Sequence, residues 1–181
     1  MKLHTKIIFI SRFNLKYGAQ NHVISYLNYL NLSQPSLTGL YLISFTRSAY
    51  DLSTFEQSGM VFANLSTLEG IRKLCRGFVN FGDSFRLESH SALAGYISGL
   101  LAVVFSKISH VHHVHGSFLN KFKPNVPGRI LKGIFQGLEK FFWRKSRLMF
   151  CSIDDMELYE SIGFSRNSMF RFKYHINDHG C

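Results

Sequence analysis

The sequence predicts a three-layer α/β domain with a mostly parallel sheet. Short apolar, β-prone runs alternate along the chain with longer stretches in which apolar residues recur at helical spacing. Near the centre, residues 84–116 have the pattern strand, helix, strand within some thirty residues, which is typical of the βαβ unit of a parallel sheet. The chain has 181 residues, 46% of them hydrophobic and 18% charged, which suits one domain with a full core.

The individual elements follow from these patterns in chain order. Strands are predicted over residues 6–11, 40–45, 61–65, 85–89, 111–114, 148–153 and 169–174. Helices are predicted over residues 19–30, 50–59, 68–79, 92–107, 127–145 and 154–162. We expect the domain to span residues 1–173 and the polar tail, residues 174–181, to be loose.

Local signals support several helix starts. Ser66 with Glu69 three residues later has the pattern of a capping box before the third helix. Pro127 suits the first position of the long fifth helix. Asp154 and Asp155 place negative charge in the first turn of the last helix, where the helix dipole favours it.

Charge and cysteine content limit the location and the partners. The net charge is +10, from 21 Lys and Arg against 11 Asp and Glu, which favours an anionic partner. Three widely spaced cysteines fit neither a zinc pattern nor a disulfide framework and suit a reducing cytoplasm. The apolar runs at residues 7–10 and 94–105 are too short for a signal peptide core and a membrane span respectively. We therefore expect a cytoplasmic protein whose membrane contact, if any, is peripheral.

Two histidines are the first candidates for function because they end neighbouring strands of the predicted βαβ unit. Ligands of parallel sheets bind beyond the carboxyl ends of the strands, so His90 and His115 should face one crevice. The residues that follow them, Ser91 and Gly116, belong to the same predicted site. The imidazole of His115 could donate to a phosphate or hydroxyl, or accept a proton near neutral pH.

The histidine-rich run HVHHVHG favours no metal site. Alternate residues of a strand share a face, so His110 and His112 should lie on one side and His113 and His115 on the other. A metal site needs three or four converging ligands, and only Glu88 is a plausible helper. We therefore expect no metal. The alternative for the first three histidines is packing or a solvated strand edge.

Another candidate is the loop before the first helix. Gly18, Ala19 and Gln20 stand where a strand turns into a helix, and small residues there let backbone N–H groups approach an anion. The loop has no G-x-G-x-x-G fingerprint, and a single glycine also suits a simple turn.

Basic charge concentrates in residues 118–150, with eight Lys and Arg against one Glu, a net charge of +7. Aromatic residues are interleaved with it, which suits the face of an anionic membrane. The predicted membrane contacts on helix 127–145 are Lys132, Lys140, Trp143, Arg144 and Lys145. The alternative is that the aromatic residues are core and the lysines merely solvated. No nucleic-acid-binding module is visible.

Four stretches together resemble the N-terminal domain of family 4-type glycosyltransferases with the GT-B architecture. YGAQNHVISYLNYL is similar to the family's Gly-Gly-Ala loop and first helix, and ESHSALAGYISGLLA to its H-T-H-S-x-x-A-G-x-x-G segment. HHVHG is similar to its T-x-H-G strand end. LEKFFWRKSRLMFCSIDDMELYESIGF resembles the late segment that leads into a helix ending in glycine. The resemblance covers roughly residues 6–163.

The resemblance implies a Rossmann-like acceptor domain that faces a second domain carrying a nucleotide-sugar donor. It implies that the loop at Gly18 lies near the donor diphosphate, that His115 lies at the catalytic centre and that His90 ends the neighbouring strand. It further implies a retaining transfer without a metal or other cofactor in this domain, onto a cell-envelope or lipid-linked sugar acceptor.

The chain departs from the family's pattern at several places, and these departures predict that it is not active alone. Tyr17 stands where the loop's first glycine would be, and no pair of Glu residues has the spacing of the family's donor motif. We also expect the chain to lack the family's C-terminal donor domain. We therefore expect a truncated product or half of a split enzyme, inactive until a partner chain supplies the donor domain. The alternative function is a non-catalytic peripheral membrane protein anchored by helix 127–145.

Overall fold

The computed structural model describes residues 5–16, 18–33, 36–80, 85–105, 107–116, 119 and 124–171. Its strands are β1 (Thr5–Ile10), β2 (Leu40–Ser44), β3 (Val61–Asn64), β4 (Phe85–His90), β5 (Ile108–Val114), β6 (Arg147–Phe150) and β7 (Met169–Arg171). Its α-helices are α1 (Ala19–Ser33), α2 (Ser53–Gln57), α3 (Leu68–Asn80), α4 (Ala92–Val104), α5 (Val126–Trp143) and α6 (Ile153–Ser161). A short 3-10 turn, Arg166–Ser168, precedes β7.

The described strands form one parallel sheet in the order β3-β2-β1-β4-β5-β6-β7. The predicted α/β architecture is confirmed, and the strand order is that of a Rossmann-like sheet with a seventh strand added. The chain leaves β1 toward β2 on one side and returns to pair β4 on the other side. The carboxyl ends of β1 and β4, at Ile10 and His90, therefore mark the topological switch point where such sheets bind ligands.

Helices cover the two faces of the sheet unequally. On one face, α1 and α2 enclose a core with Ile8, Ile10 and Leu42. On the other face, α3 and α4 contact Ile7, Phe9 and neighbouring strand residues, and a third cluster joins α5 and α6 to β5, β6 and β7. We call these the α1 face and the α4 face. Side chains on β4 and β5 alternate between them.

Two glycines allow α4 to approach its neighbours closely. A Cβ at Gly95 would lie 2.5 Å from the His112 ring, and one at Gly99 would lie 2.5 Å from the Phe142 carbonyl oxygen. These contacts explain why the most apolar helix of the chain carries glycine at two interior positions, where glycine normally weakens a helix.

Several element ends differ from the sequence predictions. Ser66 and Glu69 do not form the predicted capping box: Thr67 is the cap, and its hydroxyl accepts from the Gly70 amide at 3.1 Å. Pro127 occupies the second position of α5 because Asn125 caps the helix and accepts from the Gly128 amide. The prediction of a loose tail over residues 174–181 lies outside the described residues, as does Tyr17.

None of the helices that the structure describes is both long enough and apolar enough to cross a bilayer.

Candidate functional site

Strand β5 sends its histidines to both faces of the sheet, as its alternation predicts. His110 and His112 lie on the α4 face, and we call them the helix-face histidines. His113 and His115 lie on the α1 face, where His22 of α1 and His90 of β4 join them. We call these four the crevice histidines. Since they meet beside the carboxyl end of β4, they adjoin the switch point of the sheet.

The helix-face histidines are held by packing and by hydrogen bonds to serine hydroxyls. The Ser89 hydroxyl lies 2.8 Å from His110 Nε2 and 2.9 Å from His112 Nδ1. The other nitrogen of His110, Nδ1, lies 2.6 Å from the Ser146 hydroxyl, and the His112 ring stacks on Trp143 at 4.4 Å. Such satisfied, buried rings contribute to packing, which agrees with the structural alternative for this pair.

The crevice histidines form a compact cluster of rings. His90 and His113 stack with centroids 4.2 Å apart, and the ring of His22 lies 5.2 Å from His90 and 4.9 Å from His115. His22, His90 and His113 are buried, whereas His115 is partly exposed. The cluster therefore has a single partly open member at the carboxyl edge of the sheet.

A chain of contacts links the ends of three adjacent strands. His90 Nδ1 lies 3.0 Å from His115 Nε2, and His115 Nδ1 lies 3.7 Å from Cys151 Sγ. His90 Nε2 is fully buried and has no hydrogen-bond partner among the described residues. A buried polar atom without a partner costs about 1–3 kcal/mol, which makes this nitrogen a candidate contact for a bound molecule.

Burial keeps the crevice histidines neutral at pH 7. It lowers the pKa of His22 to about 4 and that of His115 to about 4, with the neighbouring His22 adding to the effect at His115. Burial also holds the pKa values of His90 and His113 well below their usual range, reinforced by the surrounding imidazoles. Neutral imidazoles carry lone pairs and can accept hydrogen bonds or bind a metal.

A buried carboxylate lies below the cluster on the same face. Glu88 pairs with Lys6 at 3.0 Å and with Arg86 at 2.8 Å, and Lys6 also contacts the Tyr26 hydroxyl. The second carboxylate oxygen of Glu88, Oε2, lies 4.0 Å from His113 Nε2. This arrangement places a charged acceptor behind one ring of the crevice cluster.

The backbone at the switch point is strained. Ser91 has φ of 88° and ψ of 149°, a region that residues other than glycine rarely adopt and that costs about 1–3 kcal/mol. Its hydroxyl lies 2.8 Å from the Ser11 hydroxyl at the end of β1. The two serines thus link the ends of the paired strands β1 and β4 at the switch point. The Ser91 side chain makes no capping hydrogen bond to α4.

The predicted anion loop lies at the start of α1, on the crevice side. Gly18 is exposed with φ of 52°, and the Gln20 side-chain amide donates to the Arg12 carbonyl at 2.9 Å. Gly116 is exposed directly after His115, with φ of 117°. The structure therefore brings Gly116 and His115 together at the open side of the crevice, while His90 lies beneath them.

Helix α5 exposes an apolar stripe flanked by basic residues. The stripe consists of Val126, Ile130, Ile134, Leu138 and Phe141, each 40–69% exposed. Of the predicted membrane contacts, Lys140, Arg144 and Lys145 are exposed and Lys132 is partly buried. The prediction that Trp143 contacts a membrane is wrong. Its side chain is 2% exposed and stacks on His112 and Tyr96, so it is a core residue.

One member of the crevice cluster, His22, is not predicted from the sequence. His22, His90 and His113 each offer a ring nitrogen, and the three nitrogens lie within 4.8 Å of one another. His22 stands one helical turn into α1, and its spacing alone does not separate it from ordinary helix residues. The signal that could have found it is the right-handed βαβ rule, which places the start of α1 above the end of β4.

A scan against models of protein families finds no match to this chain, and a search of curated proteins finds none either.

Proposed function

We propose that this chain is the acceptor-side domain of a retaining glycosyltransferase that acts on a cell-envelope or lipid-linked sugar, and that a donor-binding domain on a partner completes it. The observation that carries the proposal is the contact of His90 with His115 at 3.0 Å, beside the switch point of a Rossmann-like sheet. The four motifs that resemble the family occur in this same part of the fold.

The proposed role of His115 is to position the acceptor. Its ring is the partly exposed member of the cluster, and its low pKa keeps it uncharged at neutral pH. An uncharged imidazole suits a hydrogen bond to a neutral sugar hydroxyl better than an ion pair with phosphate. His90 supports it from below, through the contact between His90 Nδ1 and His115 Nε2. An acceptor hydroxyl would therefore bind at His115 Nδ1 in place of Cys151 Sγ, which lies 3.7 Å away.

In this proposal, transfer also requires a donor-binding half of the cleft. A leaving diphosphate must be stabilised by preorganised donors and shielded from water. We therefore expect that the chain alone binds an acceptor but transfers no sugar.

Saccharide binding to the isolated chain tests the acceptor role. Wild-type protein and His115→Ala would be titrated with a panel of free and lipid-linked saccharides, followed by NMR of the histidine rings. We expect shifts at His115 and a loss of affinity of roughly tenfold or more in the variant, the effect of removing one or more hydrogen bonds to the ligand. His110→Asn, on the opposite face of the same strand, is the matched control.

Turnover gives the second test. With a donor domain supplied, His115→Ala should abolish transfer, while wild type and His110→Asn transfer sugar. The enzymatic proposal would be refuted if the folded wild-type chain bound no saccharide, or if His115→Ala kept undiminished turnover.

A second candidate function, peripheral membrane binding, rests on the apolar stripe of α5. Val126, Ile130, Ile134 and Leu138 follow one another at i, i+4 spacing, and exposed Lys140, Arg144 and Lys145 follow at the end of the helix. An amphipathic helix of this composition binds anionic interfaces by burying the stripe among acyl chains and pairing its cations with headgroups. This function is compatible with a lipid-linked acceptor and also stands without one.

Vesicle sedimentation separates the two candidates. Ile134→Asp with Leu138→Asp should abolish binding to phosphatidylserine-containing vesicles, whereas Leu32→Asp, at an 89% exposed position on α1, should leave it unchanged. Vesicle binding that survives His115→Ala, in a chain with no saccharide affinity, would favour a non-catalytic membrane protein. Equal sedimentation of the stripe variant and wild type would exclude α5 as the contact.

A further inference from the structure

We propose that His22, His90 and His113 form a binding site for a divalent transition-metal ion of the Zn²⁺ type. The inference comes from the geometry of the crevice and does not depend on the glycosyltransferase proposal. The three side chains come from α1, β4 and β5, so the site exists only in the folded chain.

The ligand set is of the right kind and number. Each of the three histidines offers one ring nitrogen, and these nitrogens lie within 4.8 Å of one another. Imidazole suits Zn²⁺, Cu²⁺ and Ni²⁺, and three protein ligands with one position left open are typical of zinc sites that bind a further molecule. The side chains are 7%, 0% and 5% exposed, so water competes poorly for the ion.

The hydrogen bonds around His90 leave the correct nitrogen for a metal. When His90 Nδ1–H donates to His115 Nε2, the lone pair of His90 lies on Nε2, which has no hydrogen-bond partner among the described residues. In metal sites a ligating histidine usually donates its other N–H to a neighbouring acceptor. His115 serves as that acceptor, and its own Nδ1–H is then directed at Cys151 Sγ, 3.7 Å away.

A second outer partner lies behind His113. Glu88 Oε2 is 4.0 Å from His113 Nε2, and the carboxylate is fixed by Lys6 and Arg86. A small rotation of the ring would bring it into the carboxylate–histidine arrangement that orients ligands in metal sites and raises their basicity. Two of the three proposed ligands therefore have an outer partner.

Binding requires the rings to move. Nitrogen atoms about 2.0–2.1 Å from a tetrahedral ion lie about 3.3 Å apart, so the present spacing must contract. The stack of His90 on His113, with planes 16° apart, must also open, because lone pairs in parallel planes do not converge on one ion. Rotation about the side-chain bonds of His113 and His22 supplies this change without moving the strands.

Zinc titration of the metal-free full chain tests the site. The parent protein carries His175→Gln and His179→Gln, which removes tail histidines as competing ligands. We expect one Zn²⁺ per chain, and we expect His22→Gln and His113→Gln each to lower the affinity by more than the 10–100-fold typical of an outer-shell loss. His110→Asn, on the same strand but the opposite face, should bind as the parent does.

X-ray absorption of the Zn²⁺-loaded parent tests the site without a cluster variant, in case the substitutions impair folding. Three imidazole nitrogens at about 2.0–2.1 Å support the assignment. A shell dominated by oxygen, no stoichiometric Zn²⁺ binding, or affinities of His22→Gln and His113→Gln within twofold of the parent would overturn it. Saccharide binding is a separate measurement, so failure of either proposal leaves the other standing.

Discussion

The two sides of strand β5 place the same residue type in different surroundings. On the α4 face, the ring nitrogens of His110 contact the hydroxyls of Ser89 and Ser146, while His112 contacts Ser89 through Nδ1 and stacks against Trp143. On the α1 face, His90 leaves one buried nitrogen without a hydrogen-bond partner among the described residues, and His115 reaches the open side. Burial alone therefore does not distinguish the two groups of histidines, since both are largely buried. What distinguishes them is a buried ring nitrogen without a hydrogen-bond partner in the described part of the chain, as at His90 Nε2.

Acid should destabilise both faces, and this is the largest effect we predict. His22, His110 and His115 have pKa values of about 4 in the folded chain, whereas the unfolded chain takes up these protons near pH 6.5. The unfolded state therefore binds more protons between these values. Stability is full above about pH 6.5 and falls as the pH drops toward 4, by up to about 1.4 kcal/mol per pH unit for each histidine.

Glu139 opposes this trend and provides the control. Burial raises its pKa to about 7, although hydrogen bonds from Tyr159 and Tyr96 act against the rise. The contribution of Glu139 to the free energy of unfolding is thus present below about pH 4.5 and is lost as the pH rises through 7. Urea unfolding at several pH values should show a steeper acid slope in Glu139→Gln and a shallower one in His22→Gln. A stability independent of pH between 4 and 6.5 would refute the neutral, buried state of the histidines.

The next largest effect concerns the close packing behind the helix-face histidines. Gly99→Ala places a Cβ 2.5 Å from the Phe142 carbonyl oxygen, which is backbone and cannot turn away. We expect a loss of about 1–3 kcal/mol in the free energy of unfolding, as for other overpacked cores. Gly137→Ala on α5 has open space, so it should stabilise by about 0.5–1 kcal/mol. Equal urea midpoints for the two variants would contradict this account of the α4–α5 contact.

The smallest effect tests the strain at the switch point. Ser91→Ala loses the contact with Ser11 and keeps the unfavourable φ of 88°, whereas Ser91→Gly loses the same contact and relieves the strain. Glycine should therefore be more stable than alanine here by about 1 kcal/mol, the reverse of their order in helices. Thermal or urea unfolding of the pair measures the difference, and alanine as the more stable variant would show that Ser91 is unstrained.

The sequence predicted the fold well because strand and helix periodicities are local. The alternation along β5 correctly separated the two pairs of histidines, and the βαβ pattern correctly brought His90 and His115 to one edge. Trp143 was misplaced because basic and aromatic residues share one helix, and only the packing of α4 on α5 decides which side is buried. His22 was missed because its approach to β4 depends on a crossover that no local pattern contains. The helix cap was predicted at Ser66 but lies one residue later, at Thr67, because both residues can cap a helix and the local sequence does not decide between them.

The strand order has a consequence for how the chain folds as it is synthesised. Strand β1 is central, yet its second neighbour, β4, follows it by some 75 residues. Until residue 90 has left the ribosome, one edge of β1 and its apolar side chains stay unpaired, and such edges recruit other chains. Pairing β4 with β1 also closes a long loop, which is slow. The histidine cluster, which takes side chains from α1, β4 and the end of β5, is therefore assembled only late in synthesis.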